Sequence, residues 1–242
     1  AVDYKHGYYV APHKHRRAQL IFAASGVMTV STAEGHWTVP ATRAVWIPPW
    51  QIHEIRMTGT VRMRTLYFEP LAVSALPAAC AVVVVTPLLR ELILEAVRIP
   101  VDYAPGGRDE RIMQLIVDEI RTLKQLPLQL RFPQDARARA VALLVAAELD
   151  SQRRLKEWAA LGGVSPRTLE RLFESELGIS FGRWRQQARL QASLPLIAEG
   201  RPVLETALRL GYESPSAFTY AFRRAFGMTP SRWAASLDGA DG

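Results

Sequence analysis

The chain has 242 residues, is 49% hydrophobic and carries a net charge of +7, which suits two compact domains with a basic surface. Its one cysteine, Cys80, excludes an internal disulfide and fits a reducing, cytoplasmic setting. The charge is compatible with nucleic acid but locates no surface, because residues 1–132 hold 15 Lys+Arg against 11 Asp+Glu and residues 133–242 hold 15 against 12.

No charged segment followed by an apolar one opens the chain, so no secretory signal is expected. Residues 19–30, 37–39, 44–47 and 61–68 read as β-strands, with β-branched residues between the breaks at Gly26, Gly35, Pro40, Pro48-Pro49 and Gly59. Strands this short and evenly spaced predict a small barrel or sandwich. Three of the five histidines are placed suggestively. His13 and His15 share one face of a strand, because side chains at i and i+2 point the same way. Gln19 follows four residues later and Gly26 seven beyond that, and the segment Pro48-Pro49-Trp50-Gln51-Ile52-His53 offers a third imidazole after a turn. Three imidazoles and an oxygen suit Zn, Ni, Fe or Cu by ligand type. The plainer reading is a metal-free barrel whose histidines line an effector pocket or only hydrogen-bond. Trp37, Trp46, Trp50 and Tyr67 are candidates for a pocket lining, although aromatics in a small barrel are more often core.

These two segments resemble the two cupin motifs, the first with His, His, a carboxylate and Gly, the second with Pro, Gly and His. The resemblance implies a double-stranded β-barrel with His13, His15, Gln19 and His53 as metal ligands. Two positions depart from it: Gln19 stands where the family usually has Glu, and Trp50 where it usually has Gly. A neutral Gln is the weaker ligand and removes one negative charge from a divalent site.

Residues 71–89 are uncharged and long enough to raise the membrane question. Pro77 and Pro87 interrupt them, Ser74 and Thr86 dilute them, and Cys80 is followed by four valines from Val82 to Val85, so a loop and then a buried strand are expected and no membrane span. Residues 88–97 and 109–120 read as two amphipathic helices broken by residues 100–107 with Gly106-Gly107 as the turn, and the second has acidic residues in its first turn. Such a hairpin either pairs with a second copy in a homodimer or packs on its own barrel. Residues 126–133 read as an extended linker, since proline disfavours helix in the residue before it. A helix over residues 137–149 then opens the last domain.

Residues 155–233 contain one unit written twice at an offset of 49 positions: Gly162 falls on Gly211, Ser165-Pro166 on Ser214-Pro215, Phe173 on Phe222, Gly178 on Gly227 and Trp184 on Trp233. Each copy reads as a short helix, a Gly turn, a Ser-Pro cap and a second helix, which is a helix-turn-helix. Leu169, Leu172 and Phe173 face the first core, which turns Arg167, Thr168, Glu170 and Arg171 outward. Phe218, Phe222 and Phe226 face the second, which turns Ser216, Ala217, Thr219, Tyr220, Arg223 and Arg224 outward. Arg presents a fork that matches guanine O6 and N7, so Arg167 and Arg171 are expected on bases and Arg223 and Arg224 mainly on phosphates. The plainer reading is a helical bundle whose arginines face solvent.

The stretch from Ser165 to Phe173 and the stretch from Ala207 to Ser214, with Phe218, Phe222-Arg223-Arg224, Phe226 to Pro230 and Trp233, resemble the DNA-binding domain of AraC/XylS-type transcription regulators. The resemblance covers roughly the last hundred residues. It implies seven helices, with a long one over residues 181–198 holding the two recognition helices about one DNA turn, roughly 34 Å, apart. It also implies RNA polymerase contact if the protein is an activator. The expected architecture is therefore α+β: a cupin-like sensor or dimerisation barrel (1–85), a helical hairpin (86–125), a linker (126–134) and a tandem helix-turn-helix domain (135–238). The expected function is sequence-specific DNA-binding regulation, answering to a metal or a small-molecule effector. The alternatives are a barrel that only dimerises and, remotely, a metal-dependent cupin enzyme.

Overall fold

The computed structural model describes residues 1–41, 43–73, 76–122, 125–126 and 128–238. Ser74 and Pro127, on which the loop and linker readings partly rest, lie outside them. The chain divides into two units, 1–129 and 130–236.

The first unit is an antiparallel sheet with a helical hairpin. Its strands are β1 (Val2–Tyr4), β2 (Tyr9–His13), β3 (Ala18–Thr32), β4 (Gly35–Pro40), β5 (Arg43–Ile47), β6 (His53–Phe68), β7 (Ala81–Val84) and β8 (Gln125–Leu126). They run in the order β1-β6-β3-β5-β7-β8, with β2 added on β6 and β4 on β3. The expectation of uniformly short strands is corrected here: β3 has 15 residues and β6 has 16. Gly26 and Gly59, read as punctuation, lie inside these strands at φ +73° and +72°. The β3–β6 register shifts on both sides of Ser25, and a Cβ on Gly26 would lie 2.7 Å from the Thr60 carbonyl oxygen. Glycine here permits a bulge that bends the pair rather than ending it.

Period-two alternation gives β3 and β6 two apolar faces. Leu20, Phe22, Leu66 and Phe68 face α1 (Pro87–Ala96) and α2 (Arg108–Thr122), where Leu89, Ile93, Ile116 and Ile120 are buried against them. Each such side chain stabilises the unit by roughly 1.5–3 kcal/mol. The hairpin's apolar stripe is thus spent on its own sheet, leaving Leu88 and Leu115 exposed. Trp37 and Trp46 are core, and Trp46 Nε1 donates to the Pro77 carbonyl. The segment expected as linker stays extended and paired: Leu126 sits opposite Val82, and the Leu128 carbonyl accepts the Thr38 N–H.

The second unit is helical: α3 (Ala136–Ala147), α4 (Leu155–Leu161), α5 (Pro166–Leu177), α6 (Phe181–Ala198), α7 (Val203–Arg209), α8 (Pro215–Phe226) and α9 (Pro230–Asp238). Asp135 caps α3 by accepting the N–H groups of Arg137 and Ala138. One cluster holds Val141, Trp158, Leu169, Phe173, Phe181 and Trp184 together. A chain of rings, Tyr212, Phe218, Phe222 and Trp233, fills the other end. Among the described residues no helix is long and apolar enough to cross a membrane.

Candidate DNA-reading faces and histidine cluster

In each helix-turn-helix the cap chemistry sets where the second helix starts. Ser165 Oγ accepts the Thr168 N–H at 3.1 Å, and Ser214 Oγ accepts the Ala217 N–H at 3.2 Å. Proline at the first helical position loses no bond there. Gly162 is pressed against α3, since a Cβ would lie 2.6 Å from Val141 Cγ2.

On α5, Leu169, Leu172 and Phe173 are buried while Arg167 and Arg171 are exposed. Thr168 is half-buried, with Oγ1 2.8 Å from Ser165 Oγ, and so belongs partly to the cap. Glu170 is half-buried and accepts the Phe181 N–H at 3.0 Å, so its carboxylate also caps the start of α6. On α8, Phe218 and Phe222 are buried and Phe226 half-buried; Ser216, Ala217, Arg223 and Arg224 are exposed, Thr219 is half-buried, and Tyr220 is 70% exposed. Among the described residues Arg167, Arg171, Arg223 and Arg224 make no side-chain ion pair and are exposed.

In the first unit, β2 ends where β6 begins, and their register sets His13 opposite His53. The rings of His13 and His53 are 4.3 Å apart, those of His15 and His53 5.3 Å. One ligand atom from each of the three lies within 4.8 Å of the others. Each Nδ1 faces a backbone carbonyl: Ala11 for His13 at 2.9 Å, Arg17 for His15 at 2.6 Å, Gln51 for His53 at 2.9 Å. A carbonyl only accepts, so each Nδ1 carries a proton, which leaves Nε2 as the ring nitrogen that could ligate an ion. Backbone carbonyls thus hold the three rings in an orientation compatible with ligation through Nε2. Burial, with the neighbouring imidazoles, pushes the His53 pKa down to about 4, so it is neutral at pH 7.

Two atoms test whether an ion fits. His53 Nε2 is buried with no hydrogen-bond partner, a costly state for a lone pair. His15 Nε2 lies 3.0 Å from Gln19 Oε1, while Gln19 Nε2 donates to Thr65 Oγ1 at 2.9 Å and Tyr67 Oη at 3.1 Å. Two acceptors that close need a cation or a proton between them. The opposite amide orientation would donate to His15 and close the network without an ion. The donor set therefore fits a metal, with Gln19 deciding between the two states.

A model of an AraC-like ligand binding domain matches residues 2–142, and a model of a helix-turn-helix domain matches residues 158–236. The HTH-type transcriptional regulator NimR of Escherichia coli (strain K12) is 34% identical over 225 residues, 93% of this chain and 82% of that protein. The chain belongs to the AraC family. It is a DNA-binding transcriptional regulator with an N-terminal ligand-binding domain. The HTH-type transcriptional regulator RipA of Corynebacterium glutamicum is 38% identical over 99 residues, 41% of this chain and 30% of RipA. Among solved structures, the DNA-binding domain of AdpA, the global transcriptional factor, in complex with a target DNA, is similar over 43% of this chain and 95% of that chain, at 28% identity and a TM-score of 0.41.

In this AraC-family chain the two departures from the cupin motifs have structural consequences. Trp50, where the cupin motif usually has Gly, has a left-handed backbone at φ +65°, and its N–H donates to the His15 carbonyl at 2.9 Å. Its ring is 60% exposed. Sequence reading named Tyr67 only as a lining candidate and missed Thr65. Their signal was the alternation along β6, which sets Thr65 and Tyr67 on the opposite face from Leu66 and Phe68.

Proposed function

We propose that the barrel of this regulator holds one divalent transition-metal ion (Zn, Ni, Fe or Cu) through His13, His15, His53 and Gln19. The observation that carries this is the clustering of three imidazoles with ligand atoms within 4.8 Å of one another, one of them, His53 Nε2, buried and unpartnered. A bound ion supplies charge that ties the end of β2, the start of β6 and the start of β3 together. DNA binding changes only if that bound state favours one arrangement of the protein over another. A small-molecule effector seated at the same mouth, beside Trp50 and Tyr67, acts by the same logic. The barrel is read as a sensor and not as a catalyst.

Arg167 and Arg171, with Ser216, Ala217 and Tyr220, are assigned to bases, and Arg223 and Arg224 to phosphates. Thr168, Glu170 and Thr219 complete the assigned surface, the first two already engaged in caps. The division of labour is a sensor barrel (1–85), a hairpin (86–125), a linker (126–134) and the DNA-binding domain (135–238). A homodimer, using the exposed Leu88 and Leu115, cytoplasmic location, and polymerase contact in an activating role complete the reading. The experiment is elemental analysis of protein purified without a chelating tag, with DNA binding measured before and after chelation. Close to one ion per chain, absent from the His13→Ala, His53→Ala double variant, is expected. No metal after reconstitution leaves the effector pocket without an ion.

A further inference from the structure

The two helix-turn-helix units meet at a junction built from one loop, one helix and one turn. The loop is residues 148–154, between α3 and α4. From α6, Arg189 Nε donates to the Leu149 carbonyl at 2.8 Å and Arg189 Nη2 to the Ser151 carbonyl at 3.0 Å. One turn earlier on the same helix, Arg185 Nη1 donates to the Arg153 carbonyl at 2.8 Å. The turn is that of the second motif. Its Tyr212 ring lies under the Arg189 guanidinium at 6.0 Å, and Gln152 Nε2 bridges the Asp150 and Gly211 carbonyls at 3.1 and 3.4 Å. Gly211 sits at φ +70°, and a Cβ there would lie 2.7 Å from Arg189 Nη2 and 2.9 Å from the Asp150 oxygen. Nothing bulkier fits at this contact.

We propose that Arg189 is a positioning residue for DNA reading: its fork ties the first motif's loop to the second motif's turn and so fixes the two recognition helices relative to each other. The hydrogen bonds and ring contact that Arg189 makes run to the first motif's loop and the second motif's turn, not to α5 or α8, so its proposed effect on DNA reading passes through the placement of those two elements. A planar fork with several donors can serve two carbonyls and a ring at once, which an ammonium cannot. The consequence is spacing specificity. Each base pair inserted between two half-sites moves the second by about 3.4 Å and rotates it around the duplex, which a rigid pair of helices rejects.

The test reads the geometry without DNA or metal, so its failure is separate from failure of the metal reading. Spin labels are placed on the full chain in a Cys80→Ala background through Glu174→Cys on α5 and Ala225→Cys on α8, both exposed. With Arg189 present, one narrow distance distribution is expected. Arg189→Gln is expected at least to double its width while the helical circular dichroism is kept. A folded Arg189→Gln variant with lowered melting temperature but an unchanged distribution overturns the proposal, because that is what a merely stabilising residue would give. Should Arg189→Gln not fold, Arg189→Lys decides in its place, since lysine keeps the charge but loses the fork. An intermediate width supports the proposal and an unchanged width overturns it. Gln152→Ala, at an exposed position, is expected to broaden the distribution less than either.

Discussion

His13 and His53 face each other across the β2–β6 ladder with their rings 4.3 Å apart and their Nδ1 protons committed to the Ala11 and Gln51 carbonyls. If this pair helps to hold a metal ion as proposed, an ion that binds only the folded chain is expected to stabilise the fold. At metal concentrations a hundredfold above the dissociation constant, the gain is about 2.7 kcal/mol. For a domain of this size that is a rise in melting temperature of roughly 5–10 °C. Differential scanning calorimetry with and without added Zn, Ni, Fe or Cu checks it; no shift with any of the four contradicts the site.

Gln19 offers a second handle on the same site. Gln19→Glu restores a charged oxygen ligand beside His15, and metal affinity is expected to rise. Removing the amide also removes the donor to Thr65 and Tyr67, so the metal-free variant is expected to be less stable than the wild type. A competition titration against a chelating dye, with a melting curve of the metal-free forms, measures both; unchanged affinity places Gln19 outside the ligand set.

Trp50 holds a left-handed backbone that a side chain other than glycine adopts at a cost of about 1–2 kcal/mol. Its ring is mostly exposed, so little packing is lost with it. Trp50→Gly is expected to raise stability by about 1 kcal/mol, less whatever glycine's extra freedom in the unfolded chain takes back. If the indole instead anchors an effector, the variant gains stability and loses effector response. A denaturant melt showing lower stability contradicts the strain argument.

Asp135 caps α3, and its pairing with Arg137, together with the Ala138 and Arg137 N–H groups, lowers its pKa from 3.8 to about 2. A carboxylate whose pKa falls on folding contributes stability that is present above pH 3.8 and lost as pH drops towards 2. Asp135→Asn keeps a capping oxygen but does not titrate. Its melting temperature is expected to lie below the wild type at pH 7, with the gap closing between pH 4 and 2. A gap that stays constant over that range assigns the cap no charge effect.

The recognition helices were legible because their signals are local. Ser-Pro caps, glycine turns and Phe spacing all sit within a dozen residues, and the structure starts α5 and α8 at Pro166 and Pro215. What the sequence hid is long-range. Gln19 is bound by Thr65 and Tyr67, 46 and 48 residues away, and no spacing rule marks such a pair. Gly59 resembled a strand end because glycine weakens strands, yet here it serves a bulge. The hairpin's amphipathic stripe reads alike whether its partner is a second copy or its own sheet. Only the packing of Ile93 and Ile116 on Leu20 and Phe22 shows that the sheet covers it. Glu170 looked free for DNA because the helix wheel does not show the Phe181 N–H it caps.

The outward residues proposed to contact DNA are expected to show two kinds of effect. Arg171→Ala is expected to lose roughly 1–3 kcal/mol of discrimination at one position of the site, and Tyr220→Ala to relax specificity in the other half. Arg224→Ala is expected to weaken binding alike for all sequences and lower the salt slope by about one. Binding titrations over a set of single-base variants at three salt concentrations distinguish them. Equal losses for all three variants at every base would remove the assignment of recognition faces.

On the proposed reading, one chain contacts DNA with two capped helices on one face of the duplex. Selection of binding sites from random DNA, followed by methylation protection of the selected site with the purified full chain, tests it most directly. Two protected major-groove segments about one helical turn apart are predicted, with Arg171→Ala erasing contrast in one and Tyr220→Ala in the other. A single protected segment affected by both variants, or no selected sequence at moderate salt, would rule out reading by two separate helices.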